Sequence, residues 1–201
     1  MRRLSRKLRR VIIAALALVA AAVIGPTLWS LRWEVWPKRF AQVEPGWLYR
    51  GGQVDARLIE GLVDEHQFEA VLSLTRLSQD DPDEAAELAL VEQRQLDFCV
   101  IPMPGDGRGS FEQLDQAADF IAVHQGRPIF VHCAGGEKRS GAAIVAYRLK
   151  HCGWTIEQAL AEAMRHGLRE RHTELIEHLT AYAESLRKPT SQTSADETGT
   201  G

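Results

Sequence analysis

The chain has 201 residues, 45% of them hydrophobic and 25% charged, with a formal net charge of −3. Six of the 24 basic residues fall in the first ten positions, which leaves residues 11–201 at −9 and argues against nucleic acid or a tightly held anionic lipid surface as partner of the main body. Three cysteines do not make a disulfide framework, and the length beyond the N-terminal segment suits one domain of about 150 residues.

In chain order, Met1 to Arg10 carries the basic cluster, and Val11 to Leu31 is almost uninterruptedly apolar, about long enough to span a bilayer. Trp29, Trp33 and Trp36 fit the opposite interface, and only Arg32, Lys38 and Arg39 follow soon after the run. The positive-inside bias predicts a single-pass membrane helix with a cytoplasmic N-terminus and the remaining domain outside the cytoplasm, in a bacterium the periplasm. A cleaved secretory signal is the alternative, because the run is alanine-rich, Ala20 to Ala22 could hold a cleavage site and Pro26 could end the helix early. Residues 32–42 read as a tether, 43–187 as the folded domain, and 188–201, polar and rich in Ser and Thr, as a disordered tail.

Within the folded domain the pattern predicts strands over 46–50, 69–75, 97–102 and 128–132. Helices are predicted over 55–66, 83–95, 111–125, 140–151, 155–166 and 170–187. Such alternation predicts an α/β fold in which a central, mostly parallel sheet is flanked by helices and binds its ligand at the carboxyl end of a central strand. Cys99 reads as a core residue and Cys152 as a structural one at a helix end, although either could act as a resolving thiol. His66, His124, His151, His166, His172 and His178 show no convincing metal-ligand spacing, with His166 and His172 read as surface or loop residues, and no cofactor is expected.

The most informative stretch runs from His132 to Gly141, HCAGGEKRSG, between the apolar strand Pro128–Val131 and a helical run from Ser140. A glycine-bearing loop at a helix N-terminus aims backbone N–H groups inward and makes an anion site of phosphate size. The N–H groups of Ala134, Gly135, Gly136, Glu137, Lys138 and Arg139 are the candidate phosphate ligands. Cys133, inside that ring and near Arg139, is expected to have a depressed pKa and to be the nucleophile. Arg139 offers a planar fork for two phosphoryl oxygens. Ser140 can donate to the sulfur, and His132 is expected to orient the loop through ring hydrogen bonds.

With these residues in place, the chain resembles the cysteine-dependent protein tyrosine phosphatase superfamily, and within it the compact dual-specificity branch of bacterial type, whose pattern is His-Cys, five residues, Arg, then Ser or Thr. Trp47 to Gln53 and Gly153 to Leu160 look like further segments of that branch, so the resemblance covers about residues 43 to 187. It implies hydrolysis of phosphate monoesters, on phosphotyrosine and also phosphoserine or phosphothreonine, through a phosphocysteine and without metal. It also implies a general acid on a loop before the cysteine, and Asp106 is the only carboxylate of the segment Ile101–Gly109. Asp106 could instead only stabilise a turn, and Asp115 is the runner-up. Arg50 is implied either on the way to the site, as a substrate contact, or as a brace of the fold.

Members that favour polyphosphorylated inositides typically carry lysines where Ala134 and Glu137 stand here. Glu137 is therefore expected to repel a second phosphate and favour singly phosphorylated substrates, with Lys138 pointing outward. Alternatives are a phosphatase of a phospholipid or small phosphate at the membrane, a rhodanese-like sulfurtransferase, and a noncatalytic phosphate-binding module.

Overall fold

The computed structural model describes residues 37–187 and, within the N-terminal stretch, Ala15 alone. The membrane or signal reading of Val11–Leu31 and the reading of 188–201 as a disordered tail lie outside the described residues. Among the described residues no helix is long and apolar enough to cross a membrane.

Strands are β1 (Ala41–Glu44), β2 (Leu48–Gly52), β3 (Ala70–Ser73), β4 (Asp97–Val100) and β5 (Ile129–Cys133). Helices are α1 (Ile59–His66), α2 (Pro82–Arg94), α3 (Phe111–Val123), α4 (Lys138–His151), α5 (Ile156–Arg165) and α6 (Thr173–Arg187). They form one sheet in the order β1-β2-β5-β3-β4, parallel except for β1, which runs antiparallel to β2. β5 sits between β2 and β3 and is buried along its whole length. The α/β architecture with helices on both faces is thus as expected, with an antiparallel edge added. The chain leaves β2, builds β3 and β4, and returns to β5, so the carboxyl end of β5 opens at the place where the strand order reverses, which is where such sheets bind ligands.

Strand periodicity divides the core into two layers. Leu48, Ile129, Val131 and Cys133 belong to the larger cluster, with α3 to α6, whereas Tyr49, Val71 and Phe130 pack with Ile59, Leu62, Val63, Phe68 and Leu90 under α1 and α2. Helix α4 is buried without a break from Ser140 to Arg148, and Gly141, Ala142, Ala143 and Ala146 let its neighbours approach closely. Helix starts are fixed locally: Asp81 accepts from the Asp83 and Glu84 N–H groups, and Ser110/Gln113 and Thr155/Gln158 form capping boxes.

Several boundaries differ from expectation, two of them for a local reason. Ala41–Glu44, half of which falls in the expected tether, is a strand, because its backbone completes the open edge of β2. Residues 55–58 precede α1 as a turn, closed by the Asp55 carboxylate, which accepts from Arg57 N–H at 2.9 Å.

Candidate active site

Cys133 ends β5, Lys138 begins α4, and the loop between them wraps the sulfur. Each of its carbonyls has a donor outside the loop. Ala134 O accepts from Gln53 N (3.4 Å) and Gly135 O from Arg39 Nη1 (2.7 Å). Gly136 O and Glu137 O both accept from Arg50 Nη2 (3.1 and 3.0 Å). A peptide whose carbonyl is held outward presents its neighbour's N–H inward, and Gly136 N reaches Cys133 Sγ at 3.3 Å. Burial, the largest single influence, pushes the Cys133 thiol up. The backbone N–H groups of Ser140, Glu137 and Gly135 and the charge of Arg139 outweigh it and bring the pKa from 9.0 down to about 7. Inactivation by iodoacetamide is therefore expected to follow a titration centred near 7. A midpoint at the ordinary thiol value of 9.0 would contradict this account of the loop.

Arg50 is 1% exposed and lies behind the loop. Besides the two carbonyls it donates to Ser140 Oγ at 3.1 Å. Of the two roles the sequence left open, the structure gives the brace: the substrate contact is corrected, since Arg50 Nη2 is consumed by the loop's outer side. Burial lowers its pKa to about 10, with the Cys133 charge the chief opposing influence. The Cys133 thiol donates to Ser140 Oγ, 3.9 Å away; once the thiol has ionised, the serine hydroxyl, which accepts from Arg50, has its own hydrogen to donate to the sulfur.

His132 departs from expectation. Alternation along β5 turns it to the face opposite Cys133, where it stacks on Phe130 and its Nε2 lies 2.6 Å from Glu87 Oε1 of α2. The contact is short but misaligned, and neither ring nitrogen makes a hydrogen bond. His132 thus anchors the strand beneath the loop and does not orient the loop itself.

Glu137 is likewise corrected. Its carboxylate is held by Arg39 Nη2 (3.1 Å), which compensates its charge, and lies 3.3 Å from His172 Nε2, so it does not face a ligand alone. Arg39 was read only as part of the tether, yet it clamps both Gly135 O and Glu137. His172, read as a surface or loop residue, is the third member of this bridge.

Arg139 Nη1 rests on Leu74 O, just beyond β3, at 3.3 Å. The Asp106 loop is pinned at both ends, by Gln113 Nε2 on Pro102 O (2.8 Å) and His178 Nε2 on Gly109 O (2.7 Å). Its tip reaches the phosphate-sized loop: a Cβ on Gly107 would lie 3.1 Å from the Lys138 backbone. Asp106 itself accepts from Arg108 N (3.0 Å) and Arg108 Nε (2.9 Å). Those bonds, the backbone one foremost, hold its carboxyl below the usual range, with burial opposing. Asp115, the runner-up, is on α3 and engaged by Tyr182 Oη (2.7 Å) and Lys150 Nζ (3.2 Å) in a structural network.

Glycine is required at Gly136. Its φ is +63°, and a Cβ there would fall 2.8 Å from Gly51 O and closer still to Gly52 N. Gly136→Ala is expected to lose at least about 2 kcal/mol in urea unfolding; unchanged stability would mean that the loop shifts freely off β2.

The other cysteines cannot serve as resolving thiols in this arrangement. Cys99 is level with Leu72, and so with Val131, two strands away from β5. At about 4.8 Å per strand, that is beyond the roughly 7 Å Cα reach of a disulfide. Cys152 caps the far end of α4, and all three cysteines are free. No group of three or more His, Cys, Asp or Glu among the described residues could hold a metal ion.

No curated protein matches the chain in sequence. Among solved structures, Tk-PTP in its active form has a TM-score of 0.57 at 24% identity, covering 73% of this chain and 98% of that one. P. aeruginosa TpbA in complex with pTyr gives 0.53 at 21% over 74% and 93%. The core catalytic domain of the PP-IP phosphatase SIW14 from S. cerevisiae gives 0.55 at 18% over 74% and 93%. These likenesses show the fold. A family model described as DSP-PTPase phosphatase fused to NAD+ kinase matches residues 36–183, and the chain belongs to that family of cysteine-dependent, dual-specificity-type phosphatases.

Proposed function

We propose that the protein hydrolyses phosphate monoesters, phosphotyrosine on proteins foremost and phosphoserine or phosphothreonine besides, through a phosphocysteine on Cys133. The observation that carries this reading is the outward capture of the loop carbonyls around a thiol brought down to about 7. In the first step the thiolate attacks phosphorus, the P–O bond to the leaving group breaks, and that oxygen takes the proton of Asp106. The loop amides and Arg139 take up charge on the equatorial oxygens. In the second step a water attacks the phosphocysteine, its proton goes to Asp106, and the P–S bond breaks with Ser140 donating to the departing sulfur.

The structural neighbours named for pTyr and for PP-IP differ in substrate, so the family supports phosphatase chemistry without choosing among them. Steady hydrolysis of p-nitrophenyl phosphate and of a phosphotyrosine peptide in excess EDTA tests the reading. Absence of both activities in correctly folded protein would refute it.

We also propose that the domain is tethered to a membrane by Val11–Leu31 with Cys133 on the non-cytoplasmic side, a reading supported by the basic flank, the apolar run and the tryptophans. A reporter fused after Arg187 that is active only in the cytoplasm would overturn it, and a soluble mature form starting near Ala22 would show a cleaved signal.

A further inference from the structure

A cavity of about 200 Å³ opens beside the first turn of α4, walled by Asp106 and Arg108 of the acid loop, Lys138, and Arg171, His172 and Glu174 of the α5–α6 connection and the start of α6. At about 30 Å³ per water, it has room for a carboxylate or phosphate group and a few waters. Asp106 lines it, and a general acid must touch the leaving oxygen. The leaving-group side of a bound monoester is therefore the side that faces this cavity.

The charges in its wall are unequally matched. Arg108 is spent on two carboxylates, Asp106 Oδ2 at 2.9 Å and Glu174 Oε2 at 3.1 Å. His172 is spent on Glu137. Lys138 and Arg171 make no ion pair with any described residue, so the wall sets three cations, Arg108, Lys138 and Arg171, against two carboxylates, Asp106 and Glu174, an excess of positive charge within a body of net negative charge. An anion seated in the cavity offsets that excess. His172 senses the same field: burial lowers its pKa first, Glu137 opposes, and Lys138, Arg171 and Arg169 lower it further.

We propose that this cavity is a subsite for a second anionic group, a carboxylate or phosphate carried on the leaving-group side of the monoester. The inference rests on the phosphatase reading above and sharpens its substrate class to monoesters with a neighbouring negative charge. It also replaces the expectation that Glu137 excludes doubly charged substrates, because Arg39 already compensates Glu137.

Binding to full-length Cys133→Ser protein tests the subsite without turnover. Calorimetry would compare a phosphotyrosine peptide bearing aspartate beside the phosphotyrosine with its alanine counterpart, and fructose 1,6-bisphosphate with fructose 6-phosphate. The doubly anionic member of at least one pair is expected to bind about tenfold tighter, as two partly exposed charge-assisted contacts give. The gain should shrink with added salt and vanish in Arg171→Ala, whose wild-type side chain is exposed and outside the core. Which pair shows the gain identifies the source of the anion. Equal binding within both pairs, or a preference that survives Arg171→Ala, overturns the subsite. Turnover of p-nitrophenyl phosphate by wild-type protein reports separately on the phosphatase reading: its absence with the binding preference intact would sink that reading and leave the anion subsite standing.

Discussion

Cys133→Ser is expected to lose turnover of phosphate monoesters on the order of 10⁶-fold, the scale of loss when a covalent nucleophile is removed, while wild-type activity is unaffected by EDTA. The loop that surrounds the sulfur is held by groups the substitution does not touch: Gln53 N, Arg39 and Arg50 still capture its carbonyls. Inward N–H groups and Arg139 therefore remain to bind phosphate, and the variant should retain affinity for a phosphotyrosine peptide while losing chemistry. The reason is acid–base: the loop brings a thiol from 9.0 to about 7, whereas the same field cannot bring an alcohol within reach of neutral pH. A sulfurtransferase would also lose activity in this variant, so thiosulfate and cyanide are assayed in parallel. A Cys133→Ser protein with full phosphatase activity would end the phosphocysteine mechanism.

The parts of this site that were legible in the sequence are those written in consecutive residues. A strand, a glycine-bearing loop and a helix in 132–141 specify the nucleophile, the arginine and the hydroxyl together, and the alternation of elements specifies the sheet around them. What escaped is set by residues distant in sequence. Arg39 meets Gly135 across 96 positions, and no local pattern marks an arginine near the start of the domain as a clamp on a loop near its middle. Strand β1 is four residues long and only partly buried, so it carries too little periodicity to separate it from a linker. Glu137 looked like a negative charge aimed at the ligand because its partners, Arg39 and His172, come from the two ends of the domain.

His132 is the instructive contrast, since its orientation could have been read beforehand. Period-two alternation on a buried strand obliges adjacent residues to face opposite layers, and a Cys133 that faces the helix α4 layer obliges His132 to face α2. Its partner Glu87 was not legible, because a glutamate in the middle of an otherwise amphipathic helix reads as solvated until the strand it covers is known. Arg50 lay between these cases. Its place in β2 beside β5 brings it level with Val131, and only the three-dimensional path of the loop turns that position into a brace.

Asp106→Asn is expected to lower the turnover number by roughly two to four powers of ten on alkyl phosphates, the range of general acid catalysis, and by less on an aryl phosphate whose leaving group needs little protonation. The free enzyme holds this carboxyl ionised: Arg108, through its backbone N–H first and its guanidinium besides, lowers its pKa, and Lys138 contributes from further away. A phosphoryl group entering the loop reverses the balance, because a like charge nearby favours the protonated acid, and the proton is then in place for the departing oxygen. The sign has a further consequence. Arg108→Ala removes a stabiliser of the carboxylate, so the Asp106 pKa rises and the acid stays protonated to higher pH. Because the productive form pairs the Cys133 thiolate with protonated Asp106, and the thiol titrates near 7, above this carboxyl, the lower break of the pH profile of kcat/KM belongs to Asp106 and should move upward in that variant, while the upper break, set by Cys133, stays in place. In Asp106→Asn the lower break due to this group should disappear. Equal turnover of wild type and Asp106→Asn on a phosphoserine peptide would remove the role from Asp106. A lower break unmoved by Arg108→Ala would show instead that the loop releases Arg108 before the proton is transferred.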